Sequence, residues 1–142
     1  MPLFRLKSPA VIRVVAHDLW SLEASTHWRL TEHPECVTLE RSSEGALQLS
    51  SATKKVGAIS HEEVVSHAES QNAGWGHPAS TTCGQFDGVL YQYSDGDMQC
   101  NRWFLRNKAT LLFVTYFGST RAQLREYAEV RSILNTLRAT EA

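Results

Sequence analysis

The clearest pattern in the chain is an apolar stripe near its end. Leu124, Tyr127, Val130, Ile133, Leu134 and Leu137 recur at steps of three, three, three, one and three. Those steps put them on one side of a helix with about 3.6 residues per turn. Charged Arg121, Arg125, Glu126, Glu129, Arg131 and Arg138 fill the rest. The pattern predicts a helix from Thr120 to about Leu137 whose stripe covers a sheet. A second helix is predicted to open at Ser60. Glu63, three residues on, completes a capping box in which each side chain satisfies an otherwise orphaned backbone donor. Val64, Val65 and Ala68 give this helix a short apolar stripe, which dies near Asn72-Ala73-Gly74.

Elsewhere the period is two. Residues 11–15 read as a strand, and residues 18–25 as a short helical turn continuing from it. Residues 27–31 alternate large and polar side chains and stop at His33-Pro34, since a residue before proline is pushed out of helical space. Residues 36–41 and 46–50 alternate as half-buried strands do, and Ser43-Glu44-Gly45 links them as a hairpin. A polar, glycine-rich loop is expected over residues 74–84. Three further strand-like runs follow at 88–93, 99–105 and 109–116, joined by hairpin turns at Asp95-Gly96-Asp97 and Arg106-Asn107-Lys108. The last run is the most apolar and reads as a central strand buried on both faces. Sequential strands joined by tight turns, with helices packed over them, predict one α+β domain across residues 1–142. Its sheet is twisted and antiparallel, with about six to seven strands and two main helices.

Composition narrows the function classes. Hydrophobic residues make up 42% and charged residues 20%, ordinary usage for a packed core and unlike a disordered chain. Lys and Arg total 14 against 15 Asp and Glu, without a basic cluster, so no nucleic-acid partner is expected. Arg13 interrupts the apolar run 10–16, and nothing approaches the roughly 20 apolar residues of a membrane span, so no membrane partner is expected either. The three cysteines are Cys36, Cys83 and Cys100; their odd number leaves a thiol unpaired and points to a reducing, cytoplasmic setting.

Several segments of the second half resemble a known group. They are Phe86-Asp87-Gly88 before a strand, Arg102-Trp103-Phe104-Leu105 in the next, and Leu112-Phe113-Val114-Thr115-Tyr116 before a helix ending Ile133-Leu134-Asn135-Thr136-Leu137-Arg138. The group is that of the small bacterial PsbP-like/DcrB-like α/β proteins. There, a strand of the form hydrophobic-Val-Thr-Tyr precedes a C-terminal helix ending Ile-Leu-x-Ser-Leu-Arg, with Thr136 here in place of the serine. The hairpin at Leu47 and the helix at Ser60 follow in the order that group uses. The resemblance implies an α/β/α sandwich and a largely non-catalytic membership of binders, assembly factors and immunity proteins paired with secreted toxins. It supplies no catalytic residues.

Candidate chemistry is sparse. His61 and His67 share a helix but stand six apart rather than the four of a zinc-protease helix, so the second is turned about 240° from the first. Both read as solvated. No pair among His17, His27, His33, His61, His67 and His77 has a local ligand spacing, and no metal or cofactor is expected. Asp95-Gly96-Asp97 lacks the later bidentate Glu of a calcium loop. Gly74-Trp75-Gly76 lacks the Gly-Lys-Ser/Thr of a phosphate loop.

Cys83, with His77 and Asp87, forms the alternative reading: a small cysteine-dependent enzyme, which requires a base and an orienting group to converge on the thiol. The opposing reading is a thiol packed as a small hydrophobe. A small-ligand carrier with a cavity between sheet and helix is the third reading. The stretch that most invites a partner is Trp75, flanked by glycines and followed by His77. Trp20, near Glu23, joins them as a candidate partner contact, while Trp28 and Trp103 read as core. Trp75 has a competing fate, folded back over the sheet edge. The expectation is a non-enzymatic protein-binding module, an immunity or accessory protein facing a toxin or effector. A homodimer is compatible with the same reading.

Overall fold

A computed structural model describes residues 11–17, 19–72 and 74–140. In chain order the elements are β1 (Ile12–His17), β2 (Trp20–Ser25), β3 (Arg29–Glu32), β4 (Val37–Glu40), β5 (Gly45–Thr53) and α1 (His61–Gln71). They continue as β6 (Ala79–Cys83), β7 (Phe86–Asp95), β8 (Met98–Asn107), β9 (Thr110–Ser119), α2 (Thr120–Leu134) and β10 (Arg138–Ala139). Seven strands form an open sheet in the order β3-β4-β5-β9-β8-β7-β6, and β1-β2-β10 form a second sheet. Every pairing is antiparallel. The α+β class and the antiparallel sheet with two helices are therefore as the patterns predict.

Alternation sorts the side chains. Leu47, Leu49, Trp103, Leu105, Leu112, Val114 and Tyr116 point to one face, where they pack against Val130, Ile133 and Leu134 of α2 and Trp20, Leu22 and Ala24 of β2. Val89, Tyr91 and Phe104 point to the other, under Ile59, Val64 and Ala68 around α1. The capping box at the start of α1 is present: the Glu63 amide donates to Ser60 Oγ and the Ser60 amide to Glu63 Oε1, each at 3.1 Å. Lys54 Nζ lies 2.9 Å from the same carboxylate. The lysine and the capping bonds hold the Glu63 carboxyl below the ordinary carboxylate range. Asp95 pairs with Met98, and Asn107 with Thr110, so both long hairpins turn in two residues. Gly96 and Lys108 supply the left-handed backbone these turns need.

Four local expectations are corrected. Of the helical turn expected over 18–25, Asp18 lies outside the described residues and residues 20–25 are a strand: Trp20, Leu22 and Ala24 alternate inward as β2, and the period of two overrides the helix preference of Leu-Glu-Ala. The loop expected over 74–84 contains β6, an edge strand with four polar or small residues exposed or half-buried and Cys83 buried. Leu124 is 83% exposed, because α2 buries Ala122, Glu126 and Val130 and Leu124 stands between them on the far side. The helix also stops at Leu134. Leu137 is buried beyond its end, where its carbonyl accepts from the Gln85 amide at 2.9 Å.

Glu126 was expected among the exposed charges of α2. It is buried, and Tyr116 Oη donates to its Oε2 at 2.7 Å. Burial, then the adjoining carboxylate, drives the Tyr116 hydroxyl far above its ordinary value. Gly45 lies against this pair: a Cβ there would sit 2.6 Å from Tyr116 Oη. Among the described residues no helix is long and apolar enough to cross a membrane.

Candidate functional site

The two faces of the large sheet are covered unequally, and the reason is length. An 11-residue α1 is about 16 Å long, whereas the 10-residue strands β7, β8 and β9 each span about 33 Å. α1 packs over Val89, Tyr91 and Phe104 and stops short of the strands' other halves. There the alternation continues to deliver side chains with nothing laid over them. Tyr93 is 42% exposed on β7, and on β9 Phe117 is 47% exposed between Tyr116 and Gly118, which are buried on the opposite face. Central strand β9 is thus sealed on one face and open at one end of the other, which corrects the expectation of burial on both.

The result is a groove of about 560 Å³. Its floor is Thr38, Ala46 and Gln48 from β4 and β5, Thr115 and Phe117 from β9, and Met98 and Cys100 from β8. Trp75, Tyr93 and Arg102 line it on the α1 side, with Asp95 at the hairpin end. A smaller depression of about 280 Å³ shares Arg102 and Thr115 and runs on toward His67 and Gln71 of α1. His67 is not simply solvated: its ring lies 5.4 Å from Phe113 and 6.0 Å from Phe104.

Trp75 is fixed from three sides. Gly74 and Gly76 both adopt φ above +80°, the left-handed region that side-chain-bearing residues avoid, so the loop doubles back as it leaves α1. The Trp75 amide donates to Asn72 O at 3.0 Å, and the Asn72 side chain is itself tied to Ala68 O at 2.7 Å. The Trp75 ring stacks on Tyr93 at 4.7 Å between centroids, with Arg102 centred 5.0 Å above it. Stacked aromatics and a cation over an indole are each favourable by roughly 1 kcal/mol. The indole is therefore folded back on the sheet, half-buried, yet still presents a side to the groove. Arg102 also donates to Asn72 Oδ1 at 3.4 Å. Burial pushes the Cys100 thiol up, opposed by the Arg102 charge beside it.

The other expected residues do not gather here. His77 is exposed and lies outside the lining of the groove. Trp20, expected at a partner surface, is fully buried in the core that β2 shares with α2, whereas its neighbour Glu23 occupies the opposite, outward face of β2. The Cys83 thiol is buried with Phe86 on the α2 face, and burial raises it above its ordinary range. Asp87, next along the strand, leaves on the other face and pairs with Arg106 at 3.2 Å. Cys83 and Asp87 do not converge as a nucleophile and its orienting group would. All three cysteines are free thiols. Among the described residues no three metal-ligating side chains gather.

Sequence reasoning found Trp75 and missed Tyr93, Met98, Arg102 and Phe117. The available signal was the mismatch between a stripe of three small apolar residues on α1 and the aromatic alternation Tyr91-Tyr93 and Phe113-Phe117, which runs on past what that helix can cover.

No protein-family model matches the chain, and no curated protein matches it. Among solved structures, a crystal structure from Bacteroides thetaiotaomicron VPI-5482 is similar, with a TM-score of 0.64 and 11% identity. The match covers 86% of this chain and 45% of that one, so the present chain spans less than half of its neighbour. At this identity the likeness shows the fold alone.

Proposed function

We propose that this chain is a non-enzymatic protein-binding module and that the half-open face of the large sheet is its docking surface. The observation that carries the reading is the groove beside α1. Tyr93 and Phe117 are presented there on an antiparallel sheet with Trp75 stacked on Tyr93, and the opposite-face neighbours of Phe117 are sealed. Trp, Tyr and Arg are the residue types that most often anchor protein interfaces, and a rigid strand scaffold presents them at little entropic cost. His77 stands two residues past the anchored indole, exposed and outside the lining of the groove. The module acts in the cytoplasm as an immunity or accessory protein. That part rests on the resemblance to the PsbP-like/DcrB-like group, and a toxin gene beside this one is its test.

The docking surface is tested by capture from a lysate of the source organism on immobilised full-length chain. Wild type, Phe117→Ala, Trp75→Ala and the exposed-leucine control Leu124→Ala are compared, with folding checked by circular dichroism. Binding of a protein retained by wild type and Leu124→Ala, and weakened about tenfold or more by Phe117→Ala or Trp75→Ala, is expected. Capture indifferent to both groove variants would put the interface elsewhere.

A further inference from the structure

Two arginines four residues apart on β8 point to the same face and meet opposite circumstances. Arg106 is neutralised: its Nε lies 3.2 Å from Asp87 Oδ1, and its NH1 donates to Ile59 O at 3.0 Å. Arg102 has no carboxylate partner among the described residues. Its contacts are the carbonyl oxygen of the Asn72 side chain at 3.4 Å, the Trp75 ring and the Cys100 thiol, all neutral. Its Nε is buried with no hydrogen-bond partner, as is that of Arg106, which differs in having the Asp87 carboxylate beside it. Asp95 lines the groove but makes no ion pair with it. Arg29 and Arg41, by contrast, each have a glutamate within 3.5 Å. A cation drawn partly out of water among Met98, Phe117 and Thr115 is costly until an anion joins it. A guanidinium fork is suited to a carboxylate.

We infer that Arg102 is the anion-recognition point of the groove, and that its occupant is an acidic peptide segment of a protein partner. An Asp or Glu carboxylate of that segment sits on Arg102, and a flanking apolar side chain lies against Tyr93 and Phe117. The inference deepens the proposed docking surface and rests on it. Arg102 holds one end of the Trp75–Tyr93 stack, so charge recognition and the aromatic wall are set by the same side chain.

The test is selection of displayed random peptides on the full chain, followed by affinity measurement on a selected peptide. Wild type is expected to enrich peptides with Asp or Glu beside an apolar residue, with binding that weakens as salt rises. Arg102→Gln should weaken such a peptide about tenfold, the scale of a lost charged hydrogen bond. Arg102→Glu should turn the selection toward Lys and Arg. Should Arg102→Gln not fold, Arg102→Lys serves: it keeps the charge without the fork, and should keep the acidic preference at reduced affinity. Peptides lacking acids, lost on Phe117→Ala but bound equally by the Arg102 variants, would overturn the inference and leave the docking surface standing. An absence of any peptide sensitive to Phe117→Ala would overturn both.

Discussion

On its α2 face the large sheet presents Leu47, Leu49, Leu112 and Val114, each all but fully buried beneath α2 and the small sheet. On its α1 face the same strands present Ala46, Gln48, Phe113, Thr115 and Phe117, each half-buried or exposed. Backbone, pairing and alternation are common to both faces; only the covering element differs. A strand therefore does not determine whether its side chains become core or surface. The length of the helix laid over it does, and an 11-residue helix leaves a gap that a longer one would close.

The contrast is broken most severely on the sealed side. Leu49→Ala should cost about 2–5 kcal/mol of unfolding free energy, whereas Phe117→Ala should cost under about 1 kcal/mol. Urea denaturation of the two variants checks this, and equal losses would mean that the open face is in fact closed. Next in size is Tyr116→Phe, which removes the hydroxyl that donates to Glu126 and should cost about 1–3 kcal/mol. An unchanged midpoint would show that the pair is dispensable. Smallest is the α1 cap, where Ser60→Ala should cost about 1 kcal/mol. The Glu63 carboxyl is held low by Lys54 and the cap, so its contribution is present above the ordinary carboxyl value of 4.5 and lost as pH falls through the lower folded value. Melting curves should show wild type losing stability faster than Glu63→Gln as pH drops below that point.

Much of the architecture was legible because it depends on local pattern. The capping box at Ser60, the hairpin turns at Gly96 and Lys108 and the alternation in β4, β5, β7, β8 and β9 are fixed by neighbouring residues. β2 was legible too, but the helix-favouring Leu-Glu-Ala masked the alternation of Trp20, Leu22 and Ala24. β6 was not: Ala-Ser-Thr-Thr-Cys carries one buried residue, and its place at the sheet edge comes from pairing with β7. The groove was half legible. Bracketing glycines singled out Trp75, but its partners Tyr93 and Arg102 come from separate strands that only the register brings together. Likewise the inward aim of Glu126 required knowing which side of α2 meets Tyr116.

The pairing of β5 with β9 has a consequence for the speed of folding. Strands β6 to β9 each pair with their sequence neighbours and can zip together quickly, whereas residues 45–53 must find residues 110–118 across the whole intervening α1–β8 segment. Closing so large a loop is the slow, entropically demanding step of the route. Until it happens the β4–β5 hairpin carries a nine-residue unpaired edge, and a nascent or stressed chain is most prone to stick to its own kind at that edge.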